Sequence, residues 1–134
     1  MKSIAKLKKE LDKWFSLYIR LRNATAEGLS QCFTCNKVAH YKKLQCGHFQ
    51  SRRHLATRFD DVNCQVQCPA CNVFRYGEQY IFSLNLDANY GEGTAQELKF
   101  KANQTLKISR AEYMEKISYY KKSVDNLLQE KNII

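Results

Sequence analysis

Acidic residues are missing from the middle of this chain. Between positions 28 and 59 there is no Asp or Glu, yet Lys37, Lys42, Lys43, Arg52, Arg53 and Arg58 all fall there. Over the whole sequence, 22 Lys and Arg against 13 Asp and Glu leave a net charge of +9. That balance favours an acidic partner, most simply nucleic acid. Phosphate neutralisation by such residues would make binding steeply salt-dependent. Proline occurs once and glycine five times, which excludes long Pro-rich or Gly-rich linkers. No apolar run approaches the roughly 20 residues of a membrane-spanning helix. The start, M-K-S-I-A-K-L-K-K, lacks the apolar core of a secretory signal, so a cytoplasmic setting is expected. No internal repeat is present.

Six cysteines stand out against this background. With no secretory signal, a disulfide framework is not the expectation. Four of them form two Cys-x-x-Cys knuckles, Cys32/Cys35 and Cys68/Cys71. A two-residue gap lets both thiolates of a knuckle point at one ion, and two knuckles complete the sulfur set of a tetrahedral structural zinc. The alternative, buried free thiols, does not account for the paired spacing. Cys46 and Cys64 are left over and are expected to be small core residues. A chain of 134 residues holds one domain with a modest core, which a zinc staple would support.

The periodicity predicts an α+β fold. Ile4, Leu7, Leu11, Trp14, Tyr18 and Leu21 mark one face of a helix over 2–23, with lysines and arginines over much of the remainder. That basic face is either solvated or laid on nucleic-acid backbone. Short strands are expected at 38–41 and 43–49, and a loop with the arginines at 51–62. A helix should open near Pro69 and stop before Gly77. Residues 78–93 are ambiguous between helix and extended chain. Thr94-x-x-Glu97 and Ser109-x-x-Glu112 read as capping boxes for two further helices, to about Asn103 and about Lys131. Tyr113, Ile117, Tyr120, Val124 and Leu127 form the apolar face of the second. The expected organisation is a basic N-terminal helix (1–28), a zinc-stapled core (29–80) and a C-terminal helical region (81–134).

Between the knuckles lie the residues that bear on function. His48 follows Cys46-Gly47, Asn63 comes fifteen residues later, and Asn72 directly follows Cys71. This order resembles that of the HNH, or ββα-metal, nucleases, here reading H-N-N. The runs G-H-F-Q-S-R, T-R-F-D and N-C-Q-V-Q-C-P-A-C-N, with Tyr90-Gly91, resemble the lambdoid-phage NinG (Rap) recombination-nuclease family over most of the chain. The paired knuckles and the following Asn are also similar to phage recombination endonuclease VII.

The resemblance implies a metal-dependent DNA endonuclease, a homodimer acting on branched DNA such as Holliday junctions and D-loops. It implies a small ββα-metal zinc core flanked by helices. By motif position, His48 is the general base, Asn63 tethers the loop, and Asn72 binds a catalytic magnesium or manganese through its amide oxygen. Many members of the wider superfamily carry a metal-binding Asp before the His, where this chain has Gly47. The missing ligand is then Asp60, Asp61 or His54, or is supplied by water and phosphate. Lys42, Lys43, Arg52, Arg53 and Arg58 are the expected DNA contacts. Two other readings stand beside this one: a non-catalytic zinc module that binds nucleic acid, and a less structure-selective HNH nuclease.

Overall fold

A computed structural model of the chain describes residues 1–133. It is a mixed α+β fold in which two long helices back two small sheets. Helix α1 spans Ile4–Leu21; Ser3 caps its start by accepting from the Lys6 N–H. Its Leu7 and Leu11 pack on Tyr113 and Ile117 of α5 (Arg110–Glu130). Farther along, Leu21 meets Val124 and Tyr41. Each fully buried side chain of this kind contributes about 1.5–3 kcal/mol. The apolar stripes of the two terminal helices are therefore consumed within one chain.

The other face of α1 supports a hairpin. Strand β3 (Gln45–His48) pairs antiparallel with β4 (Cys64–Gln67), setting His48 opposite Cys64 and Gln45 opposite Gln67. Phe15 and Ile19 of α1 cluster with Cys64 and, at its edge, Cys46. Arg22, just past α1, donates to the carbonyls of Asp61 at 2.7 Å and Cys64 at 2.9 Å, so the helix end is stitched to the start of β4. A second small sheet pairs β1 (Leu29–Gln31) with β2 (Val38–His40). Between β3 and β4 the chain makes one short helix, α2 (Leu55–Arg58). Helices α3 (Gln79–Tyr90) and α4 (Thr94–Ala102) close the far side, with Phe82, Leu86 and Leu98 buried against Phe33, Phe49 and Val62.

Four details differ from expectation. The stretch at 41–43 is a 3-10 turn, so β2 and β3 belong to different sheets. Residues 64–67 form a strand, because β3 needs a partner and all four of these residues are buried. The helix expected after Pro69 is a single π-type turn, Ala70–Phe74. It ends early because Tyr76, Gly77 and Glu78 all take positive φ, a left-handed run that no α-helix accommodates. Finally, Thr94 does not cap α4. Gly93 holds the cap position, Thr94 Oγ1 donates back to the Gly91 carbonyl, and Asp87 Oδ1 accepts from the Ala95 N–H instead. The capping box at Ser109 and Glu112 is present in both directions. Among the described residues, no helix is long and apolar enough to cross a membrane.

Candidate metal centre and basic groove

The two knuckles converge. The sulfurs of Cys32, Cys35, Cys68 and Cys71 all lie within 4.8 Å of one another, and Cys35 Sγ is 3.6 Å from Cys68 Sγ. Zinc bonds of about 2.3 Å in a tetrahedron set sulfurs roughly 3.8 Å apart, so this donor set fits a structural zinc. The turns that aim the thiols come from the backbone. Asn36 takes φ 66° and returns its N–H to the Cys32 carbonyl. In the second knuckle the N–H groups of Asn72 and Gly77 donate to the carbonyls of Cys68 and Cys71. Burial would raise the Cys32 thiol, but hydrogen bonds from Thr34 and from backbone N–H groups outweigh it and bring its pKa down to about 6. Burial pushes Cys71 up. Around the four sulfurs, Leu44 and Val66 complete a small apolar core.

His48 lies at the end of β3, half-buried, on the wall of a groove of about 710 Å³ between α1 and the hairpin. Its Nε2 is 2.9 Å from the Arg58 carbonyl oxygen. A carbonyl only accepts, so Nε2 carries the proton and Nδ1 keeps the lone pair. Burial is the main cause that lowers the His48 pKa below its ordinary 6.5; the Arg58 carbonyl opposes this and the Arg52 charge adds to it. The imidazole is therefore neutral at pH 7, with a free basic nitrogen. Lys2, Lys6, Lys9, Lys13, Arg20 and Arg52 line the same groove.

Asn63 is fully buried. Its Oδ1 accepts from the Gln50 N–H at 2.8 Å, and its Nδ2 donates to the carbonyls of Gln50 at 3.1 Å and Thr57 at 3.0 Å. One amide thus ties both ends of the β3–α2 connection to the start of β4. Asn72 sits on the π-type turn and donates through Nδ2 to Gln45 Oε1 at 2.8 Å. Gln45 lines the groove, but Asn72 itself does not.

The remaining expected site residues scatter. Arg58 is a clamp rather than a free cation: its Nε and Nη2 meet the Asp12 carboxylate at 3.0 and 2.5 Å, and only 15% of its side chain is exposed. Arg52 makes one contact to the same carboxylate at 3.1 Å and stays open to solvent. Arg53, Lys42 and Lys43 are exposed. His54 precedes α2 and is not among the groove-lining residues, while Asp61 and Asp60 open onto a separate cavity beside Tyr90 and Lys101. Asp60 is also committed. Burial would raise its carboxyl, but Lys101 and the N–H groups of Asn63 and Val62 hold it below the usual range.

Two residues the sequence reading passed over explain this layout. Asp12 gathers both arginines onto α1. Gln67, buried, fills the space beside Gly47: a Cβ there would stand 1.8 Å from Gln67 Oε1. Any side chain at position 47, aspartate included, would therefore require the buried Gln67 side chain to shift. The groove's own acids, Glu10 and Asp12, are paired with Lys2 and with the two arginines. A hard divalent cation ordinarily takes several oxygens, including a carboxylate, so the residues here do not fit a resident magnesium. The signals for Asp12 and Gln67 were weak, because neither motif spacing nor helical periodicity marks a partner that lies across the fold.

No curated protein and no solved structure matches the chain. A family model does match it, over residues 1–130, and its description is bacteriophage lambda NinG protein. Since that match spans nearly the whole sequence, the chain belongs to the NinG family of phage proteins.

Proposed function

We propose that the protein is a DNA endonuclease of phage recombination, in which His48 takes a proton from the water that attacks a phosphodiester. The observation carrying this reading is the state of His48: neutral, held through Nε2 on a backbone carbonyl, and on the wall of a lysine-lined groove. A general base must be neutral at working pH and held in one orientation. The water oxygen bonds to phosphorus, its proton passes to His48, and a deoxyribose oxygen leaves. Asn63 keeps the connecting loop in place. Arg53, Lys42, Lys43 and the α1 lysines meet phosphates along the strand. In this reading β3, β4 and the turn after Cys71 are the ββα unit of an HNH nuclease similar to endonuclease VII, with zinc at the four cysteines as its staple.

Branched DNA is the proposed substrate, from the family's recombination role. Symmetric cutting of a junction needs two active sites, hence a homodimer. With the α1 and α5 stripes already packed together, the dimer would use another surface. The second reading, a zinc module that binds DNA without cutting, draws on Gln67 filling the place of a metal-binding carboxylate. Labelled four-way junction and matching duplex, incubated with magnesium, manganese or EDTA, separate the two. Junction cutting by the wild type that His48→Ala lacks supports the nuclease; tight binding with no cutting under either metal supports the binding module.

A further inference from the structure

The hairpin brings together three metal-ligating side chains that the zinc centre does not use. One ligand atom from each of Cys46, His48 and Cys64 lies within 4.8 Å of the others. They come from facing strands: His48 is registered opposite Cys64, and Cys46 stands two residues before it on the same face. Cys64 is fully buried under Phe15 and Ile19, whereas Cys46 and His48 open onto the groove. We propose that these three residues form a second metal site, for a soft or borderline divalent ion such as zinc, with its fourth position open to the groove.

The chemistry of the set fits. Two thiolates and one neutral imidazole neutralise a divalent charge while keeping one coordination position free, the pattern of open zinc sites with three protein ligands. A metal-bound histidine ordinarily donates its other ring N–H to a carbonyl or carboxylate. His48 already does so, through Nε2 to the Arg58 carbonyl at 2.9 Å. With Nε2 protonated in this way, the lone pair free to take an ion is on Nδ1. Asn63 Nδ2 is 3.8 Å from Cys64 Sγ, whose thiol also faces the Thr57 and Arg58 carbonyls, so the ion has to displace a proton that the buried site favours. Tetrahedral coordination needs the donors roughly 3.8 Å apart, close to the separations of at most 4.8 Å seen here. Binding releases the two thiol protons to solvent. Thiolate and imidazole donors select zinc-like ions over magnesium, which separates this site from any ion that accompanies DNA. Resting on the nuclease reading, an ion held by the imidazole takes the lone pair that would accept water's proton, so occupancy withdraws His48 from proton transfer.

The test needs no DNA. Full-length protein carrying one zinc is titrated with cobalt(II) under reducing conditions, and uptake is followed by native mass spectrometry and by thiolate-to-cobalt absorption. Zinc outcompetes cobalt at the four-cysteine centre, so cobalt reports the second site. The expected result is one further ion with tetrahedral thiolate bands, lost in Cys46→Ser and in Cys64→Ala while the first zinc stays. Cys46 is half-exposed, so Cys46→Ser decides the question should Cys64→Ala fold poorly. Cobalt uptake absent from the wild type, or unchanged in a folded Cys46→Ser, would overturn the site. Either outcome leaves the cutting assay on junction DNA untouched.

Discussion

Asn63 holds a whole connecting segment through one amide, and replacing it has a calculable cost. Its side chain is fully buried and makes hydrogen bonds at 2.8, 3.1 and 3.0 Å to three backbone groups of Gln50 and Thr57. Asn63→Ala removes all of them in a place water does not reach. At about 1 kcal/mol net for each bond, with some desolvation cost for the groups left behind, the loss is roughly 3–4 kcal/mol. Asn63→Asp is the sharper variant. It keeps an oxygen for the Gln50 N–H, but a second oxygen replaces the nitrogen that faces the Gln50 and Thr57 carbonyls. Acceptor against acceptor, with a buried charge, costs at least as much as alanine, on the order of 3–5 kcal/mol. Urea denaturation at fixed zinc, followed by Trp14 fluorescence, measures both. An aspartate variant within about 0.5 kcal/mol of wild type, or more stable than the alanine variant, would refute the donor assignment and with it the tether.

Other substitutions report on neighbouring contacts. Gly47→Ala should cost about 1–3 kcal/mol in the same denaturation assay, because Gln67 is held by Thr34 and by the Gly77 carbonyl and cannot swing aside; an unchanged midpoint would show that it moves freely. Asp12→Ala strands the nearly buried Arg58 guanidinium and should destabilise by about 2 kcal/mol. Arg53→Ala, exposed, should leave stability within about 0.5 kcal/mol and lower the salt dependence of DNA binding by about one phosphate contact. His48 has a folded pKa below its unfolded value near 6.5. Between those two values the unfolded chain binds more protons, so stability rises with pH there. The contribution is complete above about pH 6.5 and is lost as pH falls through the folded value. Urea midpoints across that range should slope less in His48→Gln than in wild type.

Local signals carried much of this fold. The stripe from Ile4 to Leu21 gave α1, and the Ser109 and Glu112 pair gave the start of α5, because helical periodicity and capping are written within a few residues. The paired cysteines likewise gave the four-sulfur cluster. The contacts between distant segments were not legible. Nothing near Arg58 announces that Asp12, on another element, neutralises it, and nothing near Gly47 announces Gln67. The turn at Tyr76 to Glu78 was hidden for a related reason. Two of its three left-handed residues are not glycine, and the run is pinned through Gly77 between them, whose carbonyl accepts from Gln67 Nε2 and whose N–H donates to the Cys71 carbonyl. Cys46 and Cys64 looked like leftovers in the sequence, since only the β3–β4 register brings them beside His48.

The most direct measurement is single-turnover cleavage of a four-way junction by wild type and by His48→Ala, at protein concentrations that saturate binding for both. With His48 as the proton acceptor, the variant binds as tightly and cuts about 10²- to 10⁴-fold more slowly. Equal rates from the two proteins would contradict the account, since the neutral imidazole in the groove would then have no part in the chemistry.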